Sequence, residues 1–284
     1  MLRPVHLDPA LIGQPLPWAV YSESGVLIAG AGLVLADAAH FNKLATRALF
    51  REGEGGEAAD TPLGRLIELA KQAETCLRHP EADAIRAVAR DLLAVQRADA
   101  DACLGYANLV PPARPSVSHA LRVLFVAGLL AEHLDFSDAE QESLAAAALT
   151  MNAASLDLHD RLYAYSGVVP ETDRAALRGH PQASVAWLER AGVSDAFWLE
   201  AVYQHHENMD ASGYPGGLPG SAISLAARVL RVADFYCAKI SGRHYRPPKS
   251  ASFAFQELFG RERAHLDSQI AAQLLRRMGI YPPG

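Results

Sequence analysis

Residues 205–220, "HHENMDASGYPGGLPG", combine two adjacent histidines, nearby carboxylates and a glycine-rich turn. Imidazole nitrogens are good ligands for Fe, Mn, Zn or Ni, so this segment is typical of a metal-binding loop. Neighbouring residues of a helix point about 100° apart. His205 and His206 can therefore converge on one cation only where a helix ends, and the turn formers that follow indicate such an end. The alternative interpretation is a capped helix end that carries two exposed histidines.

Three further metal-capable side chains lie on other predicted helices. His180 occurs in "GHP", His119 in the apolar segment "SHALRVLFVAGLLAEHL", and Asp234 in the apolar segment "RVLRVADFYCAKIS". If the carboxylate of Asp234 is buried, it needs a partner, which a metal or a basic side chain would provide. All-α folds build metal sites from facing helices in this way. The alternative is that the histidines are packing or hydrogen-bonding residues of a domain without metal.

The elements that position these residues are predicted to be mainly helical. Helical periodicity and start signals at Ser137-Asp138, Pro181 and Ser194-Asp195 predict helices at about 62–77, 82–104, 116–134, 138–152, 181–191, 195–206, 223–241 and 265–278. Strand signals occur around 22–25 and 30–32, before a predicted helix at 36–49. We therefore predict a mainly α protein, with a small α+β docking or regulatory module at 1–60 and an all-helical domain at 61–284.

Composition excludes several classes of function. The chain has 284 residues, of which 50% are hydrophobic, and a net charge of −6. This charge argues against nucleic-acid binding through a broad basic face. Three widely spaced cysteines without a CxxC pair favour a reducing compartment, so we expect a cytoplasmic protein. The longest apolar runs are too short to cross a bilayer, so no membrane partner is expected.

Two segments resemble the HD-GYP family, a branch of the HD phosphohydrolases. Residues 205–220 are similar to its HHExxDGxGYPxGLxG pattern, with Ala211 at a glycine position. "VADFYCAKISGRHYRP" at 232–247 is similar to its VADxxDALTSxRxYRx pattern, with Cys237 at the second aspartate. The resemblance covers about residues 95–275. It implies an all-helical HD-type fold that hydrolyses cyclic di-GMP at a site with two or three metals, often iron or manganese.

The histidine-aspartate pair that names the family is missing at the expected position. The family places it about thirty residues before the histidine that His180 matches, whereas His159-Asp160 is only 21 positions away. Alignment of "LTMNAASLDLHDRL" places Met151 at the histidine, Asn152 at the aspartate and Ser155 at the lysine of the family pattern. We therefore reject His159-Asp160 as the pair and predict no catalytic residues, with 151, 152 and 155 as degenerate positions.

The retained positions imply a reduced metal site. By resemblance, His180, His205 and His206 together serve one metal, and His119 and Asp234 are also retained. The metal-binding glutamate of three-metal members is replaced by Pro115. A three-histidine set can hold a single cation. We expect one divalent metal, Zn, Fe, Mn or Ni, or none, but not two.

Two non-catalytic roles follow from the resemblance. Arg243 and Arg246 match family residues near ligand phosphates, which suits a cyclic di-GMP receptor. Gly213, Tyr214 and Pro215 form a turn whose exposed tyrosine would anchor a diguanylate cyclase domain or another signalling protein. The alternative is an active metal-dependent cyclic di-GMP phosphodiesterase with an atypical metal set. A homodimer through the module or the 82–104 helix is also considered.

Overall fold

The computed structural model describes residues 2–5, 7–22, 27–30, 32–45, 49–52, 62–109, 114–242 and 248–279. Internal packing divides the chain into two compact units, Met1–Arg65 and Leu66–Gly284. The predicted boundary between residues 60 and 61 lies outside the described residues. None of the described helices combines the length and the apolar character needed to span a membrane.

The first unit contains a four-stranded antiparallel sheet and one helix. Its strands are β1 (Leu2–Pro4), β2 (Val20–Tyr21), β3 (Leu27–Ala29) and β4 (Phe50–Glu52), in the order β1-β4-β2-β3. Helix α1 (Ala38–Ala45) begins later than predicted, and residues 46–48 of the predicted helix lie outside the described residues. Strands β2 and β3 pair antiparallel next to the segments that carry the predicted strand signals. Of the predicted strand signals at 22–25 and 30–32, residues 23–25 and 31 lie outside the described residues, and the sequence did not predict β1 and β4.

Most of the described residues of the second unit are helical. Its helices are α2 (Pro62–Arg78), α3 (Ala82–Ala98), α4 (Ala100–Leu109), α5 (Pro115–Ala131), α6 (Asp138–Thr150), α7 (Leu156–Ala164), α8 (Glu171–Arg190), α9 (Ala196–Gln204), α10 (Leu225–Ile240), α11 (Ala251–Phe259) and α12 (Ser268–Met278). The prediction of a mainly α fold with a helical domain is therefore confirmed.

Helix α5 lies at the centre of the helical unit. Every residue from Val123 to Ala131 is buried, because α5 packs against α3, α4, α6, α7, α10 and α12. A helix that is apolar on all sides is stable only when neighbours surround it. The polar residues at the beginning of α5 therefore lie at one end of a rigid core element, which gives them a fixed position.

Two predicted helix starts are confirmed by their caps. Ser137 accepts a hydrogen bond from the Glu140 amide, and the Glu140 side chain accepts one from the Ser137 amide, which forms a capping box. Asp195 accepts from the Trp198 amide at the start of α9. These interactions satisfy backbone donors that the first turn of a helix leaves without partners.

Other helix boundaries differ from the prediction. The predicted 82–104 helix is two helices, because Asp99 leaves helical geometry and its carboxylate accepts from the Ala102 amide at the start of α4. Helices α7 and α11 were not predicted. Helix α8 begins at Glu171, so the prediction of a start at Pro181 was wrong, and the proline lies inside the helix.

Candidate metal centre

His180 owes its orientation to the proline that follows it. Pro181 has no N–H, so the carbonyl of Leu177, four residues earlier in α8, loses its usual helical donor. The His180 Nδ1 lies 2.5 Å from this oxygen. Because a carbonyl oxygen only accepts, Nδ1 carries the hydrogen, and Nε2 of the neutral ring is left as an acceptor. The sequence "GHP" therefore presents a metal-ready nitrogen.

His205 is oriented by the end of a helix. Helix α9 ends at Gln204 and His205 is its C-cap, which leaves the last carbonyls of the helix without intrahelical donors. The His205 Nδ1 lies 2.6 Å from the Val202 oxygen. His205 is fully buried, and its Nε2 is an acceptor by the same reasoning. Two different interruptions of helical hydrogen bonding thus select the same tautomer.

These two acceptor nitrogens face each other. The Nε2 atoms of His180 and His205 are 3.0 Å apart. Two lone pairs at this distance repel unless a cation or a proton lies beside them. Histidines that ligate metals typically donate their other ring N–H to a backbone carbonyl, as both rings do here.

His206 completes the cluster just beyond the helix end. One ligand atom from each of His180, His205 and His206 lies within 4.8 Å of the others. The ring of Tyr214 stacks on His206, with centroids 4.8 Å apart. Adjacent histidines converge here because the helix ends between Gln204 and His206, as the turn formers in the sequence indicated.

The three histidines are held in the neutral form that a metal requires. Burial lowers the pKa of His180, and a backbone hydrogen bond from its ring only partly offsets this. Burial, with the nearby His180, lowers the pKa of His205 to about 3. Burial and the neighbouring His205 also lower the pKa of His206 well below its ordinary value. Neutral imidazole is the form that binds metal ions.

The cluster opens onto a cavity of about 300 Å³. His180 and His206 contribute to its wall, and so do the two other predicted ligands, His119 and Asp234. The His119 Nε2 lies 2.7 Å from Asp234 Oδ1, which joins α5 to α10. Burial would raise the pKa of Asp234, but the hydrogen bond with His119 lowers it overall. All five predicted metal-capable residues are therefore at or beside one cavity.

The three degenerate positions have different environments. Asn152 lines the cavity, and its buried Oδ1 has no hydrogen-bond partner. Met151 is fully buried in the hydrophobic core. The Ser155 hydroxyl donates to the Asn152 carbonyl and does not line this cavity. Only Asn152 thus offers an atom to the site, and that atom is a neutral oxygen.

His159 and Asp160 point in different directions. His159 lines the cavity, and its ring centroid is 5.8 Å from that of His180. Asp160 instead accepts from Arg114 at 2.7 Å and from the Ser116 amide at 2.8 Å. The two residues therefore do not form a pair at the metal cluster. The structure nevertheless brings His159 to the cavity, because the unpredicted helix α7 faces it.

The side chain of Glu207 holds the loop that follows His205 and His206. This buried carboxylate accepts from the amides of Gly216 at 2.5 Å and Leu218 at 2.9 Å. Gly213 is required by close packing, since a Cβ there would lie 2.3 Å from the Asn208 nitrogen. The loop is consequently a rigid wall of the cavity.

The exposure predicted for Tyr214 was wrong. Its ring is half-buried, stacks on His206 and lines the cavity, and burial raises its pKa to about 12. The loop of Gly213, Tyr214 and Pro215 stays a predicted partner surface, but the tyrosine ring is turned towards the histidines. Arg243 and Arg246, the predicted ligand-binding arginines, lie outside the described residues.

Several residues of the cavity wall were not identified from the sequence. Arg122, Ser116 and Tyr163 all line it. Arg122 follows His119 by three residues, so a shared helical face could have indicated it. Tyr163 gave no such signal, because its position depends on how α7 packs.

The residues present fit one divalent cation. Three imidazole nitrogens converge, and two lone pairs at 3.0 Å have no hydrogen between them. The orphaned Asn152 Oδ1 lies on the same cavity. A second cation nearby would require a bridging anion to reduce repulsion between the cations, and Asn152 is neutral.

A family model described as "HD domain" matches residues 107–270. The chain is 28% identical over 243 residues to the cyclic di-GMP phosphodiesterase PA4108 of Pseudomonas aeruginosa, covering 85% of this chain and 53% of that protein. It is 31% identical over 158 residues to the cyclic di-GMP phosphodiesterase response regulator RpfG of Xanthomonas campestris, covering 55% of this chain and 41% of that protein. The chain thus spans about half, or less, of the length of these relatives.

A solved structure shares the fold. Bd1817, titled a HDG"Y"P protein from Bdellovibrio bacteriovorus, matches with a TM-score of 0.64 and 16% identity, covering 96% of this chain and 98% of that one. This similarity establishes the architecture.

Proposed function

Because this chain belongs to the HD domain family, in its HD-GYP branch, we propose that it is a cyclic di-GMP receptor with one metal-binding site and impaired hydrolysis. The observation that carries the proposal is the three-histidine cluster beside Asn152. The cavity has the ligands for one cation and a neutral amide oxygen where the family pattern has its bridging carboxylate.

The ligand class comes from the relatives. PA4108 and RpfG are named as cyclic di-GMP phosphodiesterases. A bound divalent cation supplies positive charge that attracts a phosphate oxygen. His180, His205 and His206 would hold it, and Asn152 would accept a hydrogen bond from water or ligand at the same wall.

The loss of hydrolysis follows from missing groups. Two-metal hydrolysis of a phosphodiester uses a pair of cations to stabilise the attacking and leaving oxygens. With Met151 in the core and Ser155 bonded to the backbone, neither residue replaces the ligand or the positive charge of the family pattern. We therefore expect binding to persist while turnover is lost.

The receptor role is favoured over a pure interaction module. Tyr214 faces the cavity, so it is available to a small ligand more readily than to a protein partner. Binding of a diguanylate cyclase domain through other residues of the 213–215 loop is a separate prediction, tested by titrating such a domain against the protein.

An active phosphodiesterase is the second candidate. It is favoured by His159, an additional imidazole that lines the cavity 5.8 Å, between ring centroids, from His180. If His159 served as a replacement metal ligand, it would restore part of the ligand set that the family pattern has and this chain lacks.

Calorimetry and a hydrolysis assay separate these functions. The receptor proposal predicts micromolar binding of cyclic di-GMP and no turnover with added Mn or Fe. Turnover to pGpG that disappears in His159→Ala would establish the second candidate instead. Absence of cyclic di-GMP binding would overturn the receptor proposal.

A further inference from the structure

Arg122 is a cation on the cavity wall that has only neutral partners. Its Nε donates to the Ala107 carbonyl at 2.6 Å, and one Nη donates to the Ser241 hydroxyl at 2.9 Å. No carboxylate in the described part of the chain forms an ion pair with it, whereas Arg114 is paired with Asp160. The guanidinium is therefore fixed in place without a counter-charge.

The positive charge of Arg122 is unfavourable where it lies, because no negative charge among the described residues compensates it. Burial lowers the pKa of Arg122, since removal from water disfavours the charged form. Arginine nevertheless stays protonated. Its five N–H groups form a planar fork that matches phosphate, and the two contacts above leave donors available. An anion in the cavity would offset the unpaired charge.

Arg122 lies near the metal-capable residues, on the wall of the same cavity. Arg122 is three residues after His119 on α5, which corresponds to about 4.5 Å along the helix axis. Both side chains line the same cavity. A ligand that reaches the histidines can therefore also reach the guanidinium.

Tyr163 adds an aromatic surface beside the guanidinium. It lines the cavity, is 36% exposed, and lies close enough to Arg122 to affect its pKa. Elsewhere on α7, Asp160 and Arg161 form ion pairs with Arg114 and Asp173. These ion pairs hold α7 in place, so Tyr163 is presented from an anchored helix. Aromatic rings next to cations are the usual platforms for nucleobases.

Ser116 gives independent evidence of a polar ligand. The residue is 7% exposed, its hydroxyl has no hydrogen-bond partner, and it lines this cavity. Buried hydroxyls usually have a partner, which can be a ligand or an ordered water. The cavity wall thus contains both an unpaired charge and an unsatisfied polar group.

The geometry points to a nucleotide subsite in which Arg122 binds a phosphate group and Tyr163 stacks on the attached base. This inference rests on the proposed function, because it names the residues that read a cyclic dinucleotide. It assigns phosphate recognition to α5 within the described chain, in addition to any role of Arg243 and Arg246.

The test compares a probe that has a phosphate with one that lacks it. Calorimetry of the full chain in EDTA, which removes any cation that would attract phosphate, should show GMP binding about 10- to 100-fold more tightly than guanosine, as expected for hydrogen bonds to a charged group. Arg122→Gln should reduce this preference to less than about threefold. A lower folded fraction affects both probes equally, so the ratio reports recognition rather than stability.

Matched variants separate the contributions of Arg122 and Tyr163 to the binding of the two probes. Arg86→Gln removes another half-buried guanidinium, one that contacts Ser143 and Asp195 outside the cavity, and should keep the preference for GMP. Tyr163→Ala should weaken both probes about 5- to 50-fold, consistent with the loss of one stacked base. Tyr163→Phe should restore binding of both. Tyr165→Ala removes an exposed ring that does not line the cavity and should leave both affinities unchanged.

The two proposals fail in different ways. If the wild type binds no cyclic di-GMP but prefers GMP through Arg122, the receptor proposal fails and the subsite stands. If cyclic di-GMP binds and Arg122→Gln keeps the full preference for GMP, the subsite is overturned. Equal wild-type affinity for GMP and guanosine would also overturn it.

Discussion

The Nε2 atoms of His180 and His205 lie 3.0 Å apart, although neither carries a hydrogen when its ring is neutral. Both Nδ1 atoms are committed to backbone carbonyls of their own helices. The backbone has therefore brought two lone pairs together before any cation binds. This arrangement is unfavourable alone and favourable around a positive charge, so the stability of the helical unit should depend on metal.

Removing one histidine should abolish metal binding. His205→Ala should reduce bound metal from about one per chain to near zero, because two imidazoles rarely hold a divalent ion tightly. A ligand at 100 times its Kd stabilises a folded protein by about 2.7 kcal/mol. Wild-type unfolding should thus occur at a lower temperature in EDTA, while the variant should not respond. Elemental analysis and thermal unfolding measure the two effects.

The control for this prediction is His133→Ala. His133 is exposed just beyond the end of α5 and does not line the cavity. It should keep the metal content and the EDTA response of the wild type. Two tightly bound metals in the wild type would contradict the single-site interpretation.

Asn152→Asp should convert the cavity towards a two-metal site. The change is nearly isosteric and adds a carboxylate at a buried wall shared with Asp234. Without metal, the added charge should destabilise the protein by about 1–3 kcal/mol, as for other buried polar groups without a partner. With excess Mn, the variant should bind more metal than the wild type. Denaturant unfolding with and without Mn measures this reversal.

Asn42→Asp provides the comparison, since Asn42 is exposed on α1. It should change neither metal content nor the Mn dependence of unfolding. An Asn152→Asp variant that is equally stable with and without Mn would show that residue 152 does not face the metal.

The stability of the loop that contains Tyr214 should depend on close packing at Gly213. Gly213→Ala places a Cβ 2.3 Å from the Asn208 nitrogen, so backbone must move. We expect destabilisation by about 1–3 kcal/mol, as for other overpacked sites, and weaker cyclic di-GMP binding. Gly105→Ala has open space in α4 and should be neutral or stabilising by about 0.5–1 kcal/mol. Equal unfolding midpoints for the two variants would contradict a rigid loop.

The pH dependence of stability should include a contribution from Asp195. Burial raises the pKa of this carboxyl, but hydrogen bonds from Ser143 and Arg86 lower it overall. A folded-state pKa below the unfolded one means that the stabilisation is present above the unfolded value, about pH 4, and is lost as pH falls through the folded value. Asp195→Asn should therefore reduce the free energy of unfolding by about 1–2 kcal/mol at pH 7 and less at pH 3.

Asp138→Asn is the matched change at an exposed carboxylate. Its side chain is 86% exposed, and it pairs with Arg97 at the surface. Such pairs contribute about 0–1 kcal/mol, so little pH-dependent change is expected. Denaturant unfolding of both variants at pH 7 and pH 3 checks the difference.

Local signals in the sequence were sufficient for much of the fold. Helix α6 was predicted from helical periodicity and the start signal at Ser137-Asp138, and the cap that forms there joins Ser137 to Glu140. The convergence of His205 and His206 was inferred because turn formers follow them directly. In each case the deciding interactions connect residues that are close in the chain.

Other features depended on distant parts of the chain. Pro181 was interpreted as a helix start, because proline is common at the first position of a helix, but it lies inside α8. His159 was set aside on register, and only the packing of α7 brings it to the cavity. Tyr214 was expected at the surface, but its ring stacks on His206.

The sequence alone predicted the candidate ligands: three histidines for one cation and, by resemblance, an amide in place of a carboxylate. The His180 tautomer depended on the structure, because the carbonyl that Pro181 releases belongs to a part of α8 that the sequence did not predict. Only the tertiary structure decided what surrounds these ligands. Arg122, Ser116, His159 and Tyr163 share one cavity because α5 and α7 pack together, and such packing depends on the shapes of whole helix faces rather than on residues near in sequence.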